Sequence, residues 1–248
     1  MNKVYKFLYR VLNTIPFKTK RIKVLCDCLH FYHKGNSLTL IYPDGKRVIN
    51  PLHIPKFLHL KAAGRCSGNR VIISVIQKKG FFIEFNFWNG CNNTFEIGEN
   101  CLIVMKAHIQ GSNGQATVGN NTYICESTLY MYCSGKTTFH IGNNNLFSSE
   151  ITFWAGEGHS IIDPVTHHVT NTGGNITIGD NNWVCMNVCF LKHAKIGSGC
   201  VVGYGSLVCN DLSSEDNCII AGNPAHIVKR NILWAEKEPW NYNGELYR

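Results

Sequence analysis

Histidine can take up and return a proton near neutral pH, and the chain has eleven of them. Position must choose among them. His159 lies in Gly158-His159-Ser160-Ile161, where a run of short repeats breaks into its longest interruption, between Phe153 and Ile178. A histidine there suits a general base, because a hydroxyl is a poor nucleophile until its proton is removed as it attacks. Glu157 or Asp163 could accept a hydrogen bond from the other ring nitrogen and fix the tautomer, and the sequence leaves both open. His167 and His168, on the same interruption, could touch an acceptor, and a plain polar surface position is the reading preferred for them. No Gly-x-Ser-x-Gly element offers a covalent serine route.

Twelve cysteines spread from Cys26 to Cys218 in a chain too long to need a disulfide scaffold, so reduced thiols are expected. The close pairs Cys26/Cys28 and Cys185/Cys189 do not make the two matched pairs of a structural zinc site, and no metal is expected. With 44% apolar and 16% charged residues, the 248-residue chain can build one sizeable core. The net charge of +8 is uneven, since residues 1–60 carry eleven Lys and Arg against Asp27 and Asp44. Lys3, Lys6 and Arg10 interleave with Tyr5, Phe7, Leu8 and Val11 in the pattern of a basic amphipathic helix. Such a helix could pack on the body, lie on an anionic membrane or meet a polyanion. Met1 to Thr19 lacks the apolar run and cleavage site of a secretory signal, and no stretch is long enough to span a bilayer. A cytoplasmic location is expected, with contact at the inner face of the membrane; nucleic acid is not an expected partner.

The elements that hold His159 follow from an internal repeat. Ile97-Gly98-Glu99-Asn100 recurs as Val118-Gly119-Asn120-Asn121, Ile141-Gly142-Asn143-Asn144, Ile178-Gly179-Asp180-Asn181 and Ile196-Gly197-Ser198-Gly199. Downstream, large residues return every six positions at Ile178, Val184, Phe190, Ile196, Val202 and Val208. Four positions after each stand Asn182, Val188, Ala194, Cys200, Ser206 and Leu212, mostly small. A period of six fits neither a helix nor plain strand alternation, and calls for a short strand plus a corner, three of which close a triangular coil. The predicted organisation is an N-terminal cap of helix and short strands over 1–60, with a turn at Tyr42-Pro43-Asp44-Gly45. A repeat domain follows over 61–228, with earlier, degenerate coils in Lys61–Phe87 and an insertion at 154–177. A C-terminal helix over Lys229–Glu236 and an aromatic tail, Trp240 to Tyr247, complete 229–248.

These repeats resemble the hexapeptide-repeat acyltransferases. That resemblance implies an all-β solenoid, a left-handed parallel β-helix, although right-handed crossovers are the general preference. Gly158-His159-Ser160-Ile161 is similar to the catalytic segment of capsule and lipopolysaccharide O-acetyltransferases. Trp183, twenty-four residues on in Gly179-Asp180-Asn181-Asn182-Trp183-Val184, matches the family's Gly-Asp-x-x-Trp-Ile element. The spacing looks especially like that of the polysialic acid O-acetyltransferases. The resemblance implies that His159 is the base, that Trp183 helps hold the donor or transition state, and that acetyl-CoA is the co-substrate. It further implies that Met186, Tyr204 and Pro224 border pantetheine while Lys229 and Arg230 meet phosphate. Two departures stand out: Gly203-Tyr204-Gly205-Ser206 replaces the family's Gly-Ala-Gly-Ser, and a basic residue near Asn210 is missing.

The expected function is therefore acetyl transfer to a hydroxyl of a bacterial surface sugar (capsule, sialic acid or lipopolysaccharide O-antigen), by a homotrimer acting on a carbohydrate acceptor. Acetylation of an amino sugar or amino acid would use the same fold and base. A zinc carbonic anhydrase-like trimer would need converging histidines, and His108, His140 and His193 form no recognisable ligand pair. A noncatalytic scaffold would leave the His159 insertion without a purpose.

Overall fold

The structure is a computed structural model and describes residues 2–15, 19–134 and 136–244. Short strands stack in parallel from one pass of the chain to the next. Register pairs Ile178 with Ile196, Val184 with Val202 and Phe190 with Val208, so each lies opposite the residue eighteen positions later. Three faces result. The first runs through Ser37–Ile41, Arg70–Ser74, Thr94–Ile97, Gln115–Val118, Thr137–Ile141, Gly174–Ile178 and Lys195–Ile196. The second contains Leu146–Phe147, Trp183–Val184, Val201–Val202 and Ile219–Gly222; the third contains Ile151–Ala155, Cys189–Leu191 and Leu207–Val208. The long strand Tyr123–Cys133 crosses from the second face to the third, pairing with Leu146 at one end and Ile151 near its middle.

The six-residue period is the period of burial. Ile178, Val184, Phe190, Ile196, Val202 and Val208 all point into the coil, and Phe147, Phe153 and Phe190 stack through it with centroids 5.5–6.5 Å apart. The small positions are buried too, at Asn182, Val188, Ala194, Cys200 and Ser206; Leu212 is half-buried. Cys101 and Cys200 occupy that corner, and burial pushes the thiols of Cys28 and Cys133 up to about 12.

The tetrad is legible as turn chemistry. Its fourth residue has positive φ in every copy, at Asn100, Asn121, Asn144, Asn181 and Gly199, the region only glycine and asparagine enter cheaply. The third residue's side chain accepts from the coil before it: Asn120 Oδ1 from Glu99 N, Asn143 Oδ1 from Asn120 N, Asp180 Oδ1 from Asn143 N. The glycine leaves room for that approach, since a Cβ on Gly179 would lie 2.6 Å from the Gly197 carbonyl oxygen.

At the N-terminal end, α1 (Asn2–Asn13) and α2 (Lys20–His33) close the coil, and Phe31 packs on Phe87 at 5.3 Å. Tyr5, Leu8, Tyr9 and Leu12 of α1 face the body, while Val4, Phe7 and Val11 are exposed on its other side. Parallel pairing begins at Ser37 with Arg70, and Leu58–Ala63 crosses residue 60, so cap and repeats share their sheets. The turn expected at Tyr42-Pro43-Asp44-Gly45 is present, closed by Gly45 N donating to Tyr42 O.

The helix expected over Lys229–Glu236 does not form. After Asn223-Pro224 the strand Ala225–Lys229 returns antiparallel on Ile219–Gly222, because that last edge would otherwise leave its backbone groups unpaired. The chain then runs extended up the coils: Ile232 N donates to Asn217 O, and the buried Trp234 donates its indole N–H to Asn181 O at 2.7 Å. Helical winding would withdraw both contacts. Among the described residues only a short 3-10 turn, Pro239–Asn241, follows; Tyr247, at the end of the expected aromatic tail, lies outside them.

Candidate active site

The interruption leaves the third face after Ile151–Ala155 and rejoins the first face at Gly174–Ile178. It therefore sits where the third face gives way to the first. The turn bearing His159 is held by Asn171, a buried residue whose Nδ2 donates both to the Glu157 carboxylate and to the His159 carbonyl oxygen, at 2.8 Å for the latter. Asn171 Oδ1 accepts from Ile161 N at 2.8 Å. Lys192, one coil on, places Nζ 3.0 Å from Glu157 Oε2 and 3.4 Å from Asn171 O. Hydrogen bonds from Lys192 and Asn171 hold the Glu157 carboxyl below its usual range.

The His159 side chain is exposed and makes no hydrogen bond among the described residues. Neither sequence candidate for orienting it does so here. Glu157 is committed to Lys192 and Asn171, and Asp163 Oδ1 accepts from Val165 N, Thr166 N and Thr166 Oγ1, which lowers its pKa. His167 and His168 are exposed on the hairpin beyond, where Ile162 bridges Val169.

Trp183 lies elsewhere. It opens the strand Trp183–Val184 on the second face, just past the corner joining the first face to the second. Its ring packs 6.2 Å from Trp234. A face of five to six residues at roughly 3.3 Å each is about 17–20 Å wide, so one chain holds His159 and Trp183 at different corners.

Met186, Tyr204 and Pro224 are brought together. Met186 and Tyr204 occupy one corner of successive coils, with Gly205 N donating to Met186 O, and the Asn223-Pro224 turn caps the same column. Met186 and Tyr204 are exposed, the latter 70%. Lys229 ends the returning strand and forms no ion pair among the described residues, whereas Arg230 is forked onto Glu215, Nε–Oε2 2.5 Å and Nη2–Oε1 3.0 Å. That pairing lowers the Glu215 pKa and competes with a phosphate role for Arg230. Among the described residues no three His, Cys, Asp or Glu side chains converge as a metal site; His108 stacks on Tyr130 and His140 Nδ1 meets Thr117 Oγ1 at 2.6 Å.

Sequence reasoning missed Asn171. Its partners lie fourteen residues before it and twenty-one after it, and only the coil register brings them together.

Residues 175–210 match the family described as bacterial transferase hexapeptide (six repeats). A polysialic acid O-acetyltransferase of Escherichia coli O1:K1 / APEC is 34% identical over 127 residues, covering 50% of this chain and 41% of that protein. The chain thus spans less than half the length of that relative. A galactoside O-acetyltransferase of Lactococcus lactis subsp. lactis (strain IL1403) is 28% identical over 159 residues, 61% of this chain and 70% of its own length. The solved structure of the polySia specific acetyltransferase NeuO superposes with a TM-score of 0.58 at 25% identity, over 75% of this chain and 92% of that one. Residues 175–210 thus match the hexapeptide repeat of bacterial transferases, and the chain is similar over part of its length to O-acetyltransferases.

Proposed function

We propose that this chain transfers acetyl from acetyl-CoA to a hydroxyl of a surface carbohydrate, a capsular sialic acid or lipopolysaccharide sugar. The observation that carries this reading is the latched insertion, which spends a buried asparagine and an ion pair to hold an exposed, unengaged histidine at a coil corner. Related polysialic acid and galactoside O-acetyltransferases supply the acceptor class. His159 takes the acceptor's proton as the hydroxyl oxygen bonds to the thioester carbonyl carbon. The C–S bond then breaks, and His159 returns that proton to the departing sulfur. The Trp183 indole N–H or a backbone N–H stabilises the oxyanion. Met186, Tyr204 and Pro224 border the pantetheine arm, and Lys229, joined by Arg230 once it leaves Glu215, meets phosphate.

The coils wind as a left-handed β-helix and associate as a homotrimer, so that His159 of one subunit works against Trp183 of the next. This assembly answers the separation of the two residues within one chain. Sedimentation that finds an active monomer would refute it. The exposed Val4, Phe7 and Val11 of α1, flanked by Lys3, Lys6 and Arg10, support peripheral contact with an anionic membrane on the cytoplasmic side. Co-flotation with phosphatidylserine vesicles, lost in Phe7→Glu, tests that contact. The function itself is tested by acetyl-CoA consumption against a panel of sialic acid, galactosides and serine. His159→Ala should lower kcat on the order of 10²–10⁴-fold, while His167→Ala and His168→Ala serve as controls on the same loop. A His159 variant that turns over normally would show that the base has been misassigned.

A further inference from the structure

The outward side of the third face carries an aromatic surface that the chemistry above does not use. Parallel register aligns Asn86, His108, Tyr130 and Trp154 in one row, and Trp88, Gln110 and Tyr132 in the next. The first row is stacked, with His108 and Tyr130 at 5.2 Å and Tyr130 and Trp154 at 4.6 Å. The second row is open. Trp88 and Tyr132 stand two strands apart, about 9.6 Å at the usual strand spacing of about 4.8 Å, with only the thin Gln110 between them. A cleft of about 400 Å³ occupies this place, lined by both aromatics, His108, Tyr130, Asn86 and Gln110. Trp88 is 59% exposed.

Two aromatic plates need about 8 Å to hold a saturated six-membered ring in van der Waals contact on both sides, and two strand spacings, about 9.6 Å, span that width. Its polar lining is Gln110, Asn86 and the Glu84 carboxylate, which accepts from Asn86 Nδ2 and pairs with Lys61, groups suited to the hydroxyls at a sugar ring's rim. The slot also leads to the candidate base, because a Cβ on Gly158 would lie 3.9 Å from Tyr132 Cε1. Tyr132 therefore separates the slot on one side from the His159 turn on the other.

We infer that this slot is an acceptor subsite: Trp88 and Tyr132 sandwich one sugar unit of an oligosaccharide, Gln110 and Asn86 bind its hydroxyls, and a neighbouring unit of the same chain reaches His159. The inference rests on the proposed acetyl transfer and adds that the acceptor is a chain rather than a single sugar. The experiment compares kcat/KM for sialic acid oligomers and galacto-oligosaccharides with that for free sialic acid and galactose, in the wild type, Trp88→Ala and the slot-filling Gln110→Trp. The wild type should prefer oligomers, and both variants should reduce the oligomer-to-monomer ratio at least tenfold; Thr138→Ala, on the outside of the first face, should leave it unchanged. An unchanged ratio in both variants with transfer intact overturns the subsite alone. Sedimentation showing that Trp88→Ala alters the assembly would assign the slot to a subunit contact and overturn it as well. No transfer to any carbohydrate by the wild type would instead sink the proposed function, on which the subsite depends.

Discussion

Replacing Asn171 with alanine should open the loop that carries His159 without unfolding the protein. The side chain makes three hydrogen bonds, to the Glu157 carboxylate, the His159 carbonyl oxygen and the Ile161 amide. Two neutral bonds at about 0.5–1.5 kcal/mol each and one to a charged group at about 1.5–3 kcal/mol give about 2.5–6 kcal/mol against the closed loop. The flanking strands Ile151–Ala155 and Gly174–Ile178 keep their ladders, so the cost falls on local opening. Displacement of a base by about 1 Å can cost on the order of 10²-fold in rate. Hydrogen exchange should therefore show lost protection within residues 156–173, with kcat reduced by about that factor and Tm lowered by no more than about 4 °C. Asn171→Asp keeps the acceptor for Ile161 but sets a second carboxylate against Glu157, and should open the loop at neutral pH. Wild-type protection of 156–173 in the alanine variant would refute the latch. Uniform loss of protection across the coils would show that Asn171 belongs to the core instead.

Three further outcomes follow from the same geometry. Phe153→Ala, in the middle of the Phe147–Phe153–Phe190 stack, should cost about 3–5 kcal/mol in denaturant unfolding, and a cost below about 1 kcal/mol would contradict the packing described. Because the Glu157 pKa is depressed in the folded state, its contribution to loop closure is present above the ordinary value of 4.5 and is lost as pH falls through the lower folded value. Loop protection factors should decline below pH 4.5 in the wild type, and Glu157→Gln should abolish that pH dependence; an identical pH profile in the variant would count against it. The Lys229→Ala, Arg230→Ala double variant should raise the acetyl-CoA KM more than it lowers kcat, and an unchanged KM would show that the nucleotide binds elsewhere.

Much of the coil was legible because one constraint recurs. Interior space demands a large residue every six positions, and the corner demands a positive φ that asparagine or glycine supplies at Asn100, Asn121, Asn144, Asn181 and Gly199. The upstream coils were fainter because their strands pair across longer offsets, Leu58 with Ile83 and Phe82 with Val104, and lack the tetrad. The C-terminal segment misled because local pattern at Lys229–Glu236 suits a helix, while an unpaired sheet edge and the distant Asn181 carbonyl decide otherwise. His159 and Trp183 could be picked out by type and spacing. Their placement at different corners follows only once the coil has closed, as does the joining of Glu157, Asn171 and Lys192 across two passes of the chain.

The proposed site is shared between subunits, and mixed trimers test that sharing most directly. His159→Ala and Trp183→Ala, each expected to be nearly inactive alone, are co-expressed with different tags and the mixed assemblies purified. If each site draws His159 from one subunit and Trp183 from its neighbour, every mixed trimer keeps both side chains intact at one of its three sites, and activity should return to about a third of wild type. Mixed assemblies as inactive as either parent would place both residues in a single chain's site and contradict the account.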